Sequence, residues 1–173
     1  MATEGPRPAA PSLLRRLVIG RNPRRTLVRT ALWALACIVI AKFVLLPIRV
    51  QGISMMPTYK ANKVNFINRL AYSFHPPRRG DVIAIKLAGT HVMYLKRIVG
   101  LPGETVAFTN GRLLINGEVL EEPYLVYGCN WEHEPELVGQ DEYYVVGDNR
   151  SMDFFDHEQG RTTRERIVGK IVL

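Results

Sequence analysis

Apolar positions form one long run near the start of the chain, from residue 31 to residue 48, in which Lys42 is the only charged residue. A helix needs about 20 mostly apolar residues, within a range of about 17 to 25, to cross a bilayer. The run lacks the polar face of an interfacial helix. It is also longer than the apolar part of a cleaved export signal, and no small-residue cleavage site follows it. The pattern therefore predicts a membrane-spanning anchor over residues 30–48.

Positive charge is concentrated before this run. Residues 1–29 contain seven Arg and one acid, whereas the remaining chain contains 16 Lys and Arg against 15 Asp and Glu. Because a nucleic-acid-binding domain needs a basic face on its folded part, this distribution argues against nucleic acid as a partner. Positive residues beside a membrane span stay in the cytoplasm. We therefore expect a basic cytoplasmic arm over residues 1–29, a single-pass anchor in the cell (inner) membrane, and an extracytoplasmic domain over residues 49–173.

Short apolar or alternating runs follow the anchor, and Gly, Pro and Asn separate them. The pairs Asn110-Gly111 and Asn116-Gly117 are strong two-residue hairpin signals. Strands are expected over residues 64–66, 81–87, 92–99, 105–109, 112–115, 142–146 and 167–173. The polar segment 127–140 is expected to be a long loop. The pattern predicts a mostly β domain, folded as a coiled sheet or a barrel-like sandwich.

Cysteines and histidines add little chemistry to this picture. Cys37 lies in the apolar run and Cys129 in a polar segment far along the chain, so no disulfide is expected. The chain has four histidines, and none stands in an evident catalytic motif. We interpret all of them as structural or exposed, namely His75, His91, His133 and His157. A histidine base is therefore not indicated.

Ser54 and Lys96 are the candidate catalytic pair. A serine hydroxyl is a weak nucleophile unless a neighbouring base removes its proton. A lysine can be that base only when it is uncharged, which requires burial. Strand alternation puts Lys96 on the same face as Tyr94 and Ile98, so an inward face would bury it among apolar and aromatic neighbours. The strand alone favours an exposed strand lysine with a snorkelling stem, so the pattern permits a dyad and leaves that alternative open.

Four segments in order after the anchor together resemble type I signal peptidases, the bacterial leader peptidases. Residues 54–58 (SMMPT) match the nucleophile block of that family, and residues 79–83 (RGDVI) match a central strand. Residues 94–104 (YLKRIVGLPGE) match the block with the lysine base, and residues 147–150 (GDNR) match the late block beside the active site. The resemblance covers the chain from about residue 30 to its end.

The resemblance implies a mostly β, signal-peptidase-like domain with an N-terminal transmembrane helix. It implies a Ser54/Lys96 dyad without metal or cofactor, which removes N-terminal signal peptides from exported preproteins. The bilayer and signal peptides are then partners, and the placement allows proximity to the secretion translocon. Oxyanion and substrate-binding residues are expected at Gly52, Ile53, Met55, Pro57 and Ile83. Support of the active site is expected from Tyr94, Asp148, Asn149, Arg150, Ser151 and Asp153.

Two positions depart from the pattern of the family. Some relatives have a serine two residues before the nucleophile, where this chain has Gly52. The late block usually continues to a serine that contacts the lysine, where this chain has Asp153, while Ser151 lies two places early. An ionised Asp153 beside Lys96 would stabilise the protonated lysine and oppose its role as a base. Two alternatives follow: a catalytically impaired, membrane-anchored peptide-binding relative, or a peptidase with one dedicated substrate.

Overall fold

The computed structural model describes residues 22–86, 93–157 and 159–172, and the chain divides into two compact units, Met1–Ala41 and Lys42–Leu173. Helix α1, Pro23–Phe43, has 21 residues, a mean hydropathy of 1.7 and no buried residue. At about 1.5 Å of rise per residue such a helix is about as long as a bilayer core is thick. Within the described residues it is the one helix long and apolar enough to cross a membrane.

The boundaries of this segment differ from the predicted anchor over residues 30–48. The helix begins earlier, with Pro23 in its first turn, where a missing N–H costs nothing, and it ends at Phe43. Strand β1, Leu45–Arg49, forms the last part of the predicted run. Hydropathy alone could not separate helix α1 from strand β1, because Leu46 and Ile48 of the strand are also apolar. These two side chains pack against a core cluster. Of the predicted arm, residues 1–21 lie outside the described residues.

The larger sheet has seven strands in the order β1-β2-β11-β3-β4-β9-β10, and every neighbouring pair is antiparallel. Its further strands are β2 Val64–Asn68, β3 Val82–Lys86, β4 Met93–Gly100, β9 Glu142–Val146, β10 Gly160–Thr163 and β11 Ile167–Val172. A single 3-10 turn, Arg164–Arg166, joins β10 to β11. Strand β1 lies at the edge, where Pro47 is tolerated because an edge strand need not donate on both sides.

The smaller sheet has four antiparallel strands in the order β7-β6-β5-β8. They are β5 Thr105–Thr109, β6 Arg112–Ile115, β7 Glu118–Val119 and β8 His133–Leu137. The β5–β6 turn has φ values of 48° at Asn110 and 73° at Gly111, and the β6–β7 turn has 52° at Asn116 and 84° at Gly117. These are the conformations that a type I′ hairpin requires. Both predicted hairpins are therefore present.

The expected mostly β architecture with one N-terminal helix is confirmed. Four strands were not among the expected ones, namely β1, β7, β8 and β10. The prediction of a long loop over residues 127–140 is wrong for its second half, because β8 pairs there with β5. Its sequence, HEPEL, is polar and includes Pro135, since β8 is a half-exposed edge strand. Period-two alternation is weak in such strands.

Strand β4 divides two parts of the core. Leu95 belongs to a buried cluster with Met55 and Val82, whereas Ile98 belongs to another cluster with Val145. Lys96 pairs in register with Ile83 of β3, a residue of the second cluster. The sheet therefore directs a lysine side chain toward an apolar interior.

Candidate active site

Ser54 lies in the tight loop between β1 and β2. The loop has backbone hydrogen bonds from Met56 N–H to Ile53 O at 3.0 Å and from Tyr59 N–H to Met55 O at 2.9 Å. Gly52 enters it with a φ of 93°, which favours glycine. Met55, 2% exposed, anchors the loop in the core, while Ser54 stays half-buried. These contacts fix the backbone of the loop around Ser54.

Lys96 is buried, with 1% of its surface exposed. Its Nζ donates a hydrogen bond to the backbone carbonyl of His157 at 2.6 Å and lies 5.8 Å from the ring centroid of Tyr94. The structure thus places Lys96 on an inward face, as the alternation of β4 suggested. Burial of an amine disfavours its charged form, which is a condition for a lysine that accepts a proton.

The late block, residues 147–150, is bonded directly to the Ser54 loop. Asn149 N–H donates to Ser54 O at 2.9 Å, and Asn149 Nδ2 donates to Ile53 O at 3.1 Å. A Cβ atom at Gly147 would lie 2.2 Å from Ser54 O, so only glycine allows this approach. From the sequence, only the family resemblance suggested that residues 54 and 149 lie close together. The structure shows the hydrogen bonds that connect them.

Asp148 connects this block to β4. The side chain is fully buried and accepts two hydrogen bonds from Arg97, Nε to Oδ1 at 2.8 Å and Nη2 to Oδ2 at 2.6 Å. Thr58 Oγ1 donates to Asp148 Oδ2 at 2.6 Å. One carboxylate therefore connects the Ser54 loop to strand β4, which contains Lys96. Arg97 and Thr58 were not among the predicted site residues.

His157 is the main residue that the sequence did not predict for the site. It stands among acids in a polar segment, yet it is fully buried. Its Nδ1 accepts from Gly147 N–H at 3.4 Å, and its Nε2 lies 3.1 Å from Asn149 O, which fixes the proton on Nε2. Burial, together with the charges of Lys96 and Arg150, lowers the pKa of His157 to about 3. The imidazole is therefore neutral near neutral pH.

This buried imidazole is expected to make the chain less stable in acid. Because the pKa falls from 6.5 in the unfolded chain to about 3 in the folded chain, the unfolded chain alone binds this proton between those values. The free energy of unfolding should then fall as the pH drops through that window, by up to about 1.4 kcal/mol per pH unit from this group. Denaturant titrations of the full chain in micelles, from pH 7 to pH 4, measure the slope.

Carboxylates add a slope of the same sign, so a variant must isolate the histidine. His157→Gln, which cannot titrate here, should show a shallower dependence than the native chain. Ser73→Ala, at an exposed side chain that does not titrate, should keep the native slope. Equal slopes in all three proteins would contradict the assignment.

The other predicted support residues of the late segment have different surroundings. Asp153 is exposed and accepts a hydrogen bond from Phe155 N–H at 2.9 Å, within its own loop. Ser151 Oγ donates to Asn149 Oδ1 at 2.7 Å. Arg150 is buried, donates to Gly147 O at 3.0 Å and forms an ion pair with Glu122. Asp153 was expected to stabilise the protonated form of Lys96, and this motivated the alternative of a catalytically impaired relative. The exposed position of the Asp153 carboxylate does not support that expectation.

A groove of about 500 Å³ opens at Ser54. It is lined by Ile48, Arg49, Val50, Gln51, Gly52, Ser54, Met55, Met93, Tyr94 and Leu95. The ladder between β4 and β9 begins at Arg97 and does not extend along the groove.

The predicted wall residues are only partly in this groove. Gly52 and Met55 line it, and Ile53 is 51% exposed beside it. Ile83 is fully buried, pairs in register with Lys96 and is not among the residues that line this groove. Pro57 follows a cis peptide bond in the loop after Ser54.

Comparison with family models places the chain among peptidases. The model described as signal peptidase, peptidase S26, matches residues 24–173. This match includes all described strands and both candidate catalytic residues. The chain belongs to the signal peptidase S26 family.

The chain is also similar to individual relatives and to a solved structure. A signal peptidase I of Leptolyngbya laminosa is 40% identical over 69% of this chain and 63% of its own length. A signal peptidase I of Bacillus amyloliquefaciens is 35% identical over 79% of this chain and 83% of its own length. A crystal structure of a signal peptidase I from Enterococcus faecalis V583 is 29% identical and covers 56% of this chain and 97% of its own, with a TM-score of 0.45. The chain spans less than two thirds of the length of the Leptolyngbya relative and of a Synechocystis relative, a probable signal peptidase I-2, with 63% and 56%.

Proposed function

We propose that this chain is a membrane-anchored serine endopeptidase that removes signal peptides from exported preproteins, with Ser54 as nucleophile and Lys96 as general base. The observation that carries the proposal is a buried lysine amine connected to the serine loop by two residues. Lys96 Nζ bonds His157 O, the His157 ring bonds Asn149 O, and Asn149 N–H bonds Ser54 O. Family membership supports the same assignment.

The proposed reaction has two stages, acylation and deacylation, and in each stage the amine of Lys96 accepts one proton and gives it up again. Ser54 Oγ attacks the scissile carbonyl while Lys96 takes the hydroxyl proton, and the tetrahedral intermediate forms. Lys96 then gives that proton to the leaving amine, and the peptide stays bonded to Ser54 as an ester. A water molecule, deprotonated by Lys96, attacks the ester carbonyl. Lys96 then gives that proton to Ser54 Oγ as the ester bond breaks, which releases the signal peptide and restores the free enzyme. The N–H of Ser54 is the proposed oxyanion donor; one such donor is typically worth about 3 to 4 kcal/mol.

The groove indicates the form of the substrate. An extended peptide laid in the groove beside Met93 and Leu95 can add as a strand beside the sheet. Gly52, which has no side chain, lines the groove next to Ser54, so small side chains of the substrate fit beside the serine. We propose small residues at the first and third positions before the cut.

The apolar floor of the groove comes from Met55 and Leu95, and both are buried.

The location of the enzyme follows from helix α1 and the arginines before it. We propose that α1 crosses the cell membrane once, with the N-terminus in the cytoplasm and the unit Lys42–Leu173 outside. Preproteins that emerge from the translocon would then reach the groove while their signal peptides are still in the bilayer. Proximity to the translocon is part of this proposal.

A cleavage map tests the function. The full chain in detergent micelles is incubated with a preprotein that has Ala at the first and third positions before the expected cut, and the products are identified by mass spectrometry. We expect one cut after the first position and a loss of about 10²-fold or more in rate when that Ala is replaced by Phe, because a bulky side chain must displace the groove wall. Matching Phe replacement at the second position is the control, since that side chain need not enter the groove. Cleavage at many sites, or equal rates for both Phe substrates, would contradict the proposal.

A further inference from the structure

The hydrogen bond on Lys96 raises the question of what holds its acceptor in place. The acceptor is the main-chain carbonyl of His157, in a loop between β9 and β10, and the distance is 2.6 Å. A lysine side chain has four rotatable bonds, so the amine is only as well placed as the groups that it contacts. The carbonyl must therefore be fixed by other contacts of residue 157.

The imidazole of the same residue supplies those contacts. Its Nδ1 accepts from Gly147 N–H at 3.4 Å, and its Nε2–H donates to Asn149 O at 3.1 Å. The ring also packs edge-to-face against Trp131, with 4.8 Å between ring centroids. A Cβ atom at Gly147 would lie 2.6 Å from His157 Cε1, so the ring fills the available space. The ring is thereby locked from three directions.

Two of those partners also fix the serine. Asn149 N–H donates to Ser54 O at 2.9 Å, and Gly147 lies against the same carbonyl oxygen. We propose that His157 is a positioning residue for the reaction: its ring ties the carbonyl that orients the Lys96 amine to the backbone that holds Ser54. This inference rests on the proposed function. It assigns His157 no contact with substrate and no proton transfer.

The chemistry of the ring agrees with this role. One ring nitrogen must accept from Gly147 while the other donates to Asn149, and only a neutral imidazole does both. Glutamine retains one acceptor and one donor at the end of a flexible chain, whereas leucine retains similar volume without either. The two substitutions therefore separate hydrogen bonding from space filling.

The experiment compares steady-state kinetics of the full-length native chain, His157→Gln and His157→Leu, with activity expressed per folded protein. We expect His157→Leu to lower kcat by about 10²-fold, because displacement of a reacting group by about 1 Å costs that much. KM should change less than about twofold, since the groove is untouched, and His157→Gln should recover most of kcat. A rise in KM with unchanged kcat would overturn the proposal. Equal kcat for the native chain and His157→Leu would also overturn it.

Two controls exclude a general effect of destabilisation. Ile115→Ala removes buried packing in β6, and it should lower the melting temperature while kcat per folded protein stays native. His133→Leu removes a histidine that is paired with Glu136, and it should also keep native kcat. If Ile115→Ala lowers kcat as much as His157→Leu at equal loss of melting temperature, His157 is merely structural.

Crystal structures of the variants separate this inference from the proposed function. If the native chain cleaves no preprotein, the proposed function fails, and the structures still report on the position of the amine. The contact between Lys96 Nζ and the carbonyl of residue 157 should persist in His157→Gln and be lost in His157→Leu. An unchanged contact in His157→Leu would show that the ring does not position the lysine.

Discussion

Lys96→Met is expected to lower the rate of preprotein cleavage by at least about 10³-fold, because it removes the proposed base while it keeps the buried aliphatic chain. Ser54→Ala should lower the rate by a similar factor. The double variant should be no slower than either single variant, since a nucleophile and its base act as a unit. The measurement is single-turnover cleavage of a preprotein with Ala at the first and third positions before the cut.

Matched variants show whether the loss is specific. Lys86 is exposed at the end of β3, and Ser73 is exposed in a turn. The control variants Lys86→Met and Ser73→Ala should therefore cleave the preprotein at the native rate. Circular dichroism should show native β content in all four single variants. Cleavage by Lys96→Met at the native rate would contradict the assignment of Lys96 as the base. If the losses in rate multiply in the double variant, the two residues act separately.

Local sequence signals predicted the fold where turn chemistry and alternation agree. The hairpins at Asn110-Gly111 and Asn116-Gly117 are examples, because two residues with positive φ at these positions determine both the turn and the register. Strand β8 was not predicted, because the only reason for its extended form is its pairing with β5, and HEPEL has no apolar alternation. Strand β1 was hidden in an apolar run that continues that of helix α1.

The site was predictable only as far as its motifs reach. Alternation along β4 gave the inward face of Lys96, and the resemblance named Ser54 and the late block. Nothing local marked His157 as buried, since its neighbours in sequence are polar and its contacts come from residues 131, 147 and 149. The same holds for Thr58, whose hydroxyl bonds a carboxylate 90 positions away. Contacts at such separation follow from the sheet topology and not from spacing.

Asp148→Asn is expected to lower the free energy of unfolding by about 3 to 5 kcal/mol, because it leaves a largely buried guanidinium without its counter-charge. Arg97 is 12% exposed and Asp148 is fully buried in this pair. A typical domain has only about 5 to 15 kcal/mol of stability, so the loss is a large fraction of the whole. Denaturant unfolding of the full chain in micelles measures it.

The surface pair between Glu136 and Arg161 gives the matched comparison. Arg161 is 46% exposed there, so Glu136→Gln should cost less than about 1 kcal/mol, as exposed ion pairs usually do. Asp148→Asn should also slow cleavage beyond its effect on folding, because Asp148 binds Thr58 of the nucleophile loop and Arg97 of β4 at once. If Asp148→Asn costs no more stability than Glu136→Gln, the buried pair does not hold the loop to the strand, and the connection between Ser54 and Lys96 must depend on Asn149 and His157.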